Sequence, residues 1–151
     1  VSVPPGTPYN SPKLAFMVAL AAQIDAQLSP LLPNIQAVGG AIWNPTPPCI
    51  DMLPDDPFEE LIAFSGKKAT HLVLRARTDT PDREGAQELL IALMDSESDV
   101  SLEQAVLFDD TLGGIVEQIT VESGPSEFGA FVDPGGTALL GCTWRLQVLR
   151  A

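Results

Sequence analysis

Apolar residues recur along this chain with two different periods, and the switches between them mark out its elements. Between Leu14 and Leu28 the positions Leu14, Met17, Val18, Ala21, Ile24 and Leu28 return every three or four residues, the spacing of one helix face. Ser11 stands where a capping side chain is wanted, Pro12 suits the first helical position, and Pro30 and Pro33 end the run. Phe16 and Leu20 are apolar but lie off that stripe. They leave two readings open: a helix buried on two sides within its own domain, or a second contact face for another subunit.

From Thr70 to Thr78 the period becomes two, with Leu72, Leu74 and Ala76 on one face and His71, Val73, Arg75 and Arg77 on the other. This predicts a half-buried strand. Thr80 then caps and Pro81 begins a second helix, with Asp82 and Glu84 near its positive end and Ala86, Leu89, Leu90, Leu93 and Met94 as its apolar face. Ser101 followed by Gln104 is a capping-box pattern for a short third helix reaching about Leu107. Ile115 to Ser123 is a β-branched strand. Thr137 to Leu149 alternates over its whole length, with Leu140, Cys142, Trp144, Leu146 and Val148 facing one way.

The intervening stretches are less regular. Residues 34–44 predict a first strand in which Gly39-Gly40 marks a bulge or a close backbone approach. Cys49 to Leu53, hemmed by prolines, predicts a short edge strand, and 55–64 a helical turn. Asp109 to Gly114 is a turn cluster and Gly124 to Gly136 a loop. The first ten residues, VSVPPGTPYN, predict a proline-rich arm that docks on a neighbour, since such a segment loses little entropy on ordering. Together these elements predict one α+β domain over residues 11–151. Its four- or five-stranded, mainly antiparallel sheet has two long helices packed on one face, and the other face is open to another subunit.

Composition narrows the function more than the fold. With 151 residues and 45% hydrophobic content, the chain is the size of one folded domain. Its net charge of −12 argues against tight nucleic-acid binding, which draws on a basic surface. The acidity either keeps the protein in solution or lines a channel to which phosphate does not adhere. Cys49 and Cys142 are far apart and His71 is the only histidine, so no zinc spacing exists. Buried reduced thiols in a reducing compartment fit, with one disulfide as the alternative. The apolar stretch from Leu14 to Ile24 is too short to span a bilayer, and prolines stand where a signal peptide has basic residues. A cytosolic chain is expected.

No catalytic residue, cofactor or metal ligand is assigned. His71 sits mid-strand, with no G-x-S-x-G elbow to supply a nucleophile. Asp55-Asp56, Glu59-Glu60 and Asp109-Asp110 have the oxygens to hold Mg²⁺, but adjacent side chains diverge and such pairs read as solvated loop charge. A small metal-dependent hydrolase using Asp109, Asp110 and His71 is the competing reading, and an unrelated protein-binding adaptor a third. Gly113-Gly114 and Gly135-Gly136 lack the lysine and hydroxyl residue of a phosphate loop.

Three segments carry a resemblance: HLVLRARTDTPDREGAQELLIALMD, then FDDTLGGIVEQITVESG, then GCTWRLQVLR. Their succession of strand, Thr-Asp step, helix, acidic D-x-T-L-G-G turn, strand and closing strand resembles the tail-terminator family of long-tailed bacteriophages. The versions in phages of actinobacteria are the most similar. The upstream N-P-T-P-P-C-I-D-M-L-P also looks like that family's proline-flanked strand, and the resemblance covers roughly residues 34–150. It implies a structural virion protein, assembled in the host cytoplasm, that forms a ring, usually a hexamer. Such a ring caps the tail tube, ends tail elongation and joins the tail to the head connector. Related neck and adaptor proteins share these features. The implied partners are copies of the chain, the tail-tube protein and the head-tail connector or stopper protein. Genomic DNA passes through the lumen without specific binding, and no membrane is involved. The candidate subunit-interface residues are Phe16, Leu20, Asp110, Thr111, Leu112, Gly113 and Gly114.

Overall fold

Three helices and one five-stranded sheet make up the described part of the chain, a mixed α/β fold. The computed structural model describes residues 8–42, 45–62 and 66–150. Most of the expected arm (residues 1–7), positions 43–44 of the expected first strand and positions 63–64 of the expected helical turn lie outside them.

Helix α1 spans Pro12–Leu28; Ser11 accepts a hydrogen bond from the Leu14 N–H at 3.2 Å, and Pro12 opens the helix. Its buried side takes in Met17, Ala21, Ile24 and Leu28 of the expected stripe together with Phe16 and Leu20, while Leu14 is half-buried and Val18 exposed. The reason is that α1 is apolar on nearly every side, so its periodicity cannot fix its rotation. Helix α2 (Glu84–Met94) buries Ala86, Leu90 and Leu93, the expected face, but begins three residues after Pro81, and Thr80 does not cap it. Only α1 is long. In helix α3 (Leu102–Leu107), Ser101 caps the Gln104 N–H at 3.2 Å. The Gln104 amide reaches the Ser96 carbonyl instead of turning back on Ser101, so half of the capping box forms.

The strands are β1 (Gln36–Ala37), β2 (Cys49–Leu61), β3 (Lys68–Arg77), β4 (Gln118–Val132) and β5 (Ala138–Arg150), in the order β1-β2-β3-β5-β4. β1 runs parallel to β2, and the other three pairings are antiparallel. Sequence and structure differ most at the edges. The expected first strand shrinks to two residues, while β2 runs on through 55–61 in place of a helical turn. β4 continues through the expected loop as far as Val132, slipping register after Val121, Ser123 and Ser126. Prolines are tolerated there because outward N–H groups on edge strands have no partner to lose.

One cluster joins Phe16, Leu20 and Ile24 of α1, Leu90 and Leu93 of α2 and Leu102 of α3 to Leu72, Leu74, Trp144 and Leu146 of the sheet. Gln23 strengthens the link between α1 and α3 by donating to the carbonyls of Ala105 and Val106 at 3.0 and 2.9 Å. Cys142 lies in this core, where burial pushes its thiol up to about 12. Cys49 pairs with Arg77 on the opposite sheet face, so the two thiols stay free and apart. No described helix is long and apolar enough to cross a membrane.

Of the two adjacent glycines, Gly39 is the close approach. A Cβ there would meet the Met17 carbonyl oxygen at 2.7 Å and the Val18 nitrogen at 2.8 Å, whereas at Gly40 it would meet nothing within 4 Å. The segment before β2 therefore lies directly on the α1 backbone. Gly39→Ala is expected to destabilise the fold by about 1–3 kcal/mol. Gly40→Ala should stay within about 0.5 kcal/mol of the parent, both read from urea unfolding midpoints.

Candidate functional site

The face of the sheet turned away from the helices carries the charge. Strand alternation puts His71, Val73, Arg75 and Arg77 of β3 there, opposite Asp51 and Leu53 of β2 and Thr143, Arg145 and Gln147 of β5.

Asp51 is the organising group. It is fully buried, and both its oxygens are bound by Arg75, Nε to Oδ1 at 3.0 Å and Nη2 to Oδ2 at 2.5 Å. Arg77 Nη2 adds a bond to Oδ2 at 3.2 Å, and the Ile42 N–H another at 2.9 Å. Arg77 also donates to the Ile42 carbonyl at 3.1 Å, so the loop entering β2 is tied to the sheet by both its backbone groups. A buried carboxylate needs such a set, because desolvation is offset only by close, well-directed partners. Burial raises the neighbouring Cys49 thiol, and the Arg77 charge partly opposes this.

A second cluster lies towards the other end of β3. There the register slip in β2 swings Asp55 over the sheet, where it accepts from Arg145 Nη1 at 2.7 Å; Arg145 Nη2 reaches Glu127 at 3.1 Å. Partial burial acts to raise the Asp55 carboxyl. The Arg145 hydrogen bond, the Asp56 N–H and the Arg145 and His71 charges outweigh it and hold the carboxyl below its usual range. His71 Nδ1 meets Glu122 at 2.7 Å, while its Nε2 is buried without a partner. Asp55, Asp56, Glu60, His71, Glu122 and Arg145 border a shallow cleft of about 410 Å³.

The D-D-T-L-G-G segment is a turn built around Asp109. Its carboxylate accepts from the Thr111 hydroxyl at 2.7 Å, the Gly113 N–H at 2.8 Å and the Thr111 N–H at 3.1 Å, which together lower its pKa. Gly113 and Gly114 supply positive φ of 70° and 94°. Leu112 also has positive φ, 51°, but is held by burial in the core. The Asp110 carbonyl accepts from Ile119 at 2.9 Å, joining the turn to β4.

Of the interface candidates, Phe16, Leu20 and Leu112 are corrected to residues buried in the core of their own chain, the first of the two readings left open for Phe16 and Leu20. Asp110 and Thr111 are half-buried, and Gly113 and Gly114 are exposed. Nor does the fold gather Asp109, Asp110 and His71. The turn packs against α1, whereas His71 lies on the helix-free face. Among the described residues, no group of three or more His, Cys, Asp or Glu side chains is placed to hold a metal ion.

Asp51 was the residue that sequence reasoning missed, although the signal was present. An aspartate inside the apolar run Cys-Ile-Asp-Met-Leu needs a buried partner, and Arg-x-Arg on one strand face offers two. Compared with known proteins, the chain matches no family model and no curated sequence.

Asp51→Asn strands two arginines around a neutral amide and is expected to cost about 3–5 kcal/mol. Asp55→Asn breaks a partly exposed pair and should cost less than about 1 kcal/mol. Chemical denaturation of both variants checks the contrast; equal losses would mean that Asp51 does not organise this face.

Proposed function

We propose that the chain is a structural assembly subunit that joins copies of itself head to tail into a ring, in the manner of phage tail terminators. The observation that carries this reading is the placement of exposed apolar side chains on opposite margins of one sheet. Leu61 (64% exposed) ends β2 on one side, while Phe128 (51%) and Val132 (69%) lie on β4 at the other. Two different apolar margins on one subunit favour a heterologous contact, which closes into a ring when the rotation between subunits permits.

The character of those margins supports side-chain contact over strand addition. β4 is interrupted by three register slips and carries Pro125, and β2 carries Pro54 and Pro57. Such edges resist the backbone pairing that would build open-ended stacks. In this reading the sheet is a mainly antiparallel platform with α1 and α2 on one face, and its charged face stays free for neighbours or the lumen. The net charge of −12 gives a lumen that DNA crosses without adhering. The partners are further copies, the tail-tube protein and the head-tail connector or stopper, in a virion neck; no membrane takes part. The chain acts by contact alone, with no cofactor and no catalytic step.

The test is tube growth in the presence of the purified chain and tail-tube protein encoded beside it. The expected outcome is short tubes capped at one end in electron micrographs. A Phe128→Ser, Val132→Ser double variant, altered only at exposed positions, should fold normally and leave tubes long. Unchanged tube lengths with the parent chain, and no chain at tube ends, would refute the terminator role.

A further inference from the structure

Both long margins of the sheet break their backbone pairing, and they do so on either side of the same two central strands. In β2 the register passes from Pro54 opposite Leu72 to Glu59 opposite Thr70, so residues 55–58 stand against the single residue His71. In β4 the slips after Val121, Ser123 and Ser126 leave Glu122 without a ladder partner and set Glu127 and Phe128 against Cys142 alone. A bulge frees a residue from its ladder partner and re-aims its side chain. Asp55, Glu122 and Glu127 all lie in these bulges, and each is bound by a side chain from a central strand.

Arg145, on β5, reaches both margins at once. Its Nη1 donates to Asp55 Oδ1 on β2 at 2.7 Å and its Nη2 to Glu127 Oε1 on β4 at 3.1 Å. β4 is the neighbour of β5, whereas β2 lies two strands away on the other side, so one guanidinium ties together margins that the ladder does not connect. His71 adds a second link by reaching from β3 past β5 to Glu122. Glu127 also has a left-handed φ of 58°, which a non-glycine residue adopts at a cost, and its bond to Arg145 offsets part of that cost. These pairs are partly exposed and add little to global stability. They weigh most on the local opening of segments whose backbone pairing lapses.

We propose that Arg145 is a positioning residue that couples the two margins, so that a neighbouring copy seated on β4 prepares β2 for the next contact. This rests on the head-to-tail ring proposed above. Phe128, one of its contacts, is the residue after Glu127, and Leu61, the opposite contact, ends the strand that carries the 55–58 bulge. A neighbour packed on Phe128 holds Glu127 in place, and Glu127 then holds one branch of the guanidinium. The rotamer entropy of Arg145 is lost once, so its bond to Asp55 forms at a smaller further cost. The coupling is reciprocal: fixing β2 steadies β4 by the same factor. Assembly built on such a link is cooperative, and partial rings are scarce beside monomers and closed rings.

The test begins with hydrogen exchange, read by mass spectrometry, on the full chain diluted until monomeric. Arg145→Gln is expected to speed exchange in both 53–61 and 121–129 by about threefold or more, while α2 and the β3–β5 pairing keep the parent rates. Glu127→Gln alters β4 alone, yet should speed 53–61 as well. Because Glu127 is 53% exposed, this variant decides the matter if Arg145→Gln loosens the whole fold. Acceleration by Glu127→Gln confined to 121–129 would overturn the coupling, as would parent rates in either segment of Arg145→Gln. Native mass spectrometry during assembly then reads the consequence: monomers and one closed species for the parent, partial assemblies as well for either variant. Coupled exchange in a parent chain that never assembles would refute the ring and leave the coupling standing. Variants that close rings as free of partial assemblies as the parent's would refute the coupling and leave the ring.

Discussion

Asp51 is a negative charge placed inside a sheet, and much of the structure is arranged around keeping it there. A carboxylate in that position is tolerable only if several donors reach it at once. Arg75 and Arg77 can do so because they sit two residues apart on one face of β3 and directly across from β2. A one-residue slip between β2 and β3 would turn the carboxylate towards the helices, so the ion pair and the strand register enforce each other. The Ile42 backbone completes the set, which fixes the segment that crosses α1 through Gly39. One buried charge thus couples the outer strand, the central strand and the first helix.

The same alternation gives the two faces of the sheet different chemistry. One sheet face is mostly apolar and meets the helices. The other holds an arginine-rich end at Arg75 and Arg77 and an acid-rich end around Asp55, Glu60 and Glu122. The sheet margins are irregular, with prolines and slips that discourage strand addition, and they expose Leu61, Phe128 and Val132. A protein that acts through surfaces needs rigid support beneath them. Here the support is the long β3–β5 pairing, unbroken from Lys68 to Arg77.

The central elements were legible because their signals were periodic. The alternation of Leu140 to Val148 and of Leu72 to Ala76 gave both strands and their inward faces, and Ser11-Pro12 and Ser101 marked two helix starts. The margins were not legible. Pro54, Pro57, Gly124 and Pro125 read as chain breakers, yet an edge strand can hold them because its outer N–H groups bond to nothing in the sheet. The rotation of α1 was hidden for the opposite reason: with apolar residues all round, Phe16 and Leu20 looked like surplus surface when they are the centre of the core. Of the candidate contact residues, only Asp110, Thr111, Gly113 and Gly114 keep surface exposure, and the geometry of their turn is explained by the Asp109 carboxylate and the two glycines. The organising carboxylate escaped notice because a single aspartate carries no period; only its apolar surroundings betray it.

The central claim is that this fold is a subunit and not a self-sufficient unit. Multi-angle light scattering of the purified chain over a wide concentration range, alone and with tail-tube protein as template, addresses it most directly. A closed assembly of fixed mass, an integer multiple of 16.0 kDa that does not grow with concentration, is the predicted result. A monomer at every concentration, with and without the template, would contradict the account.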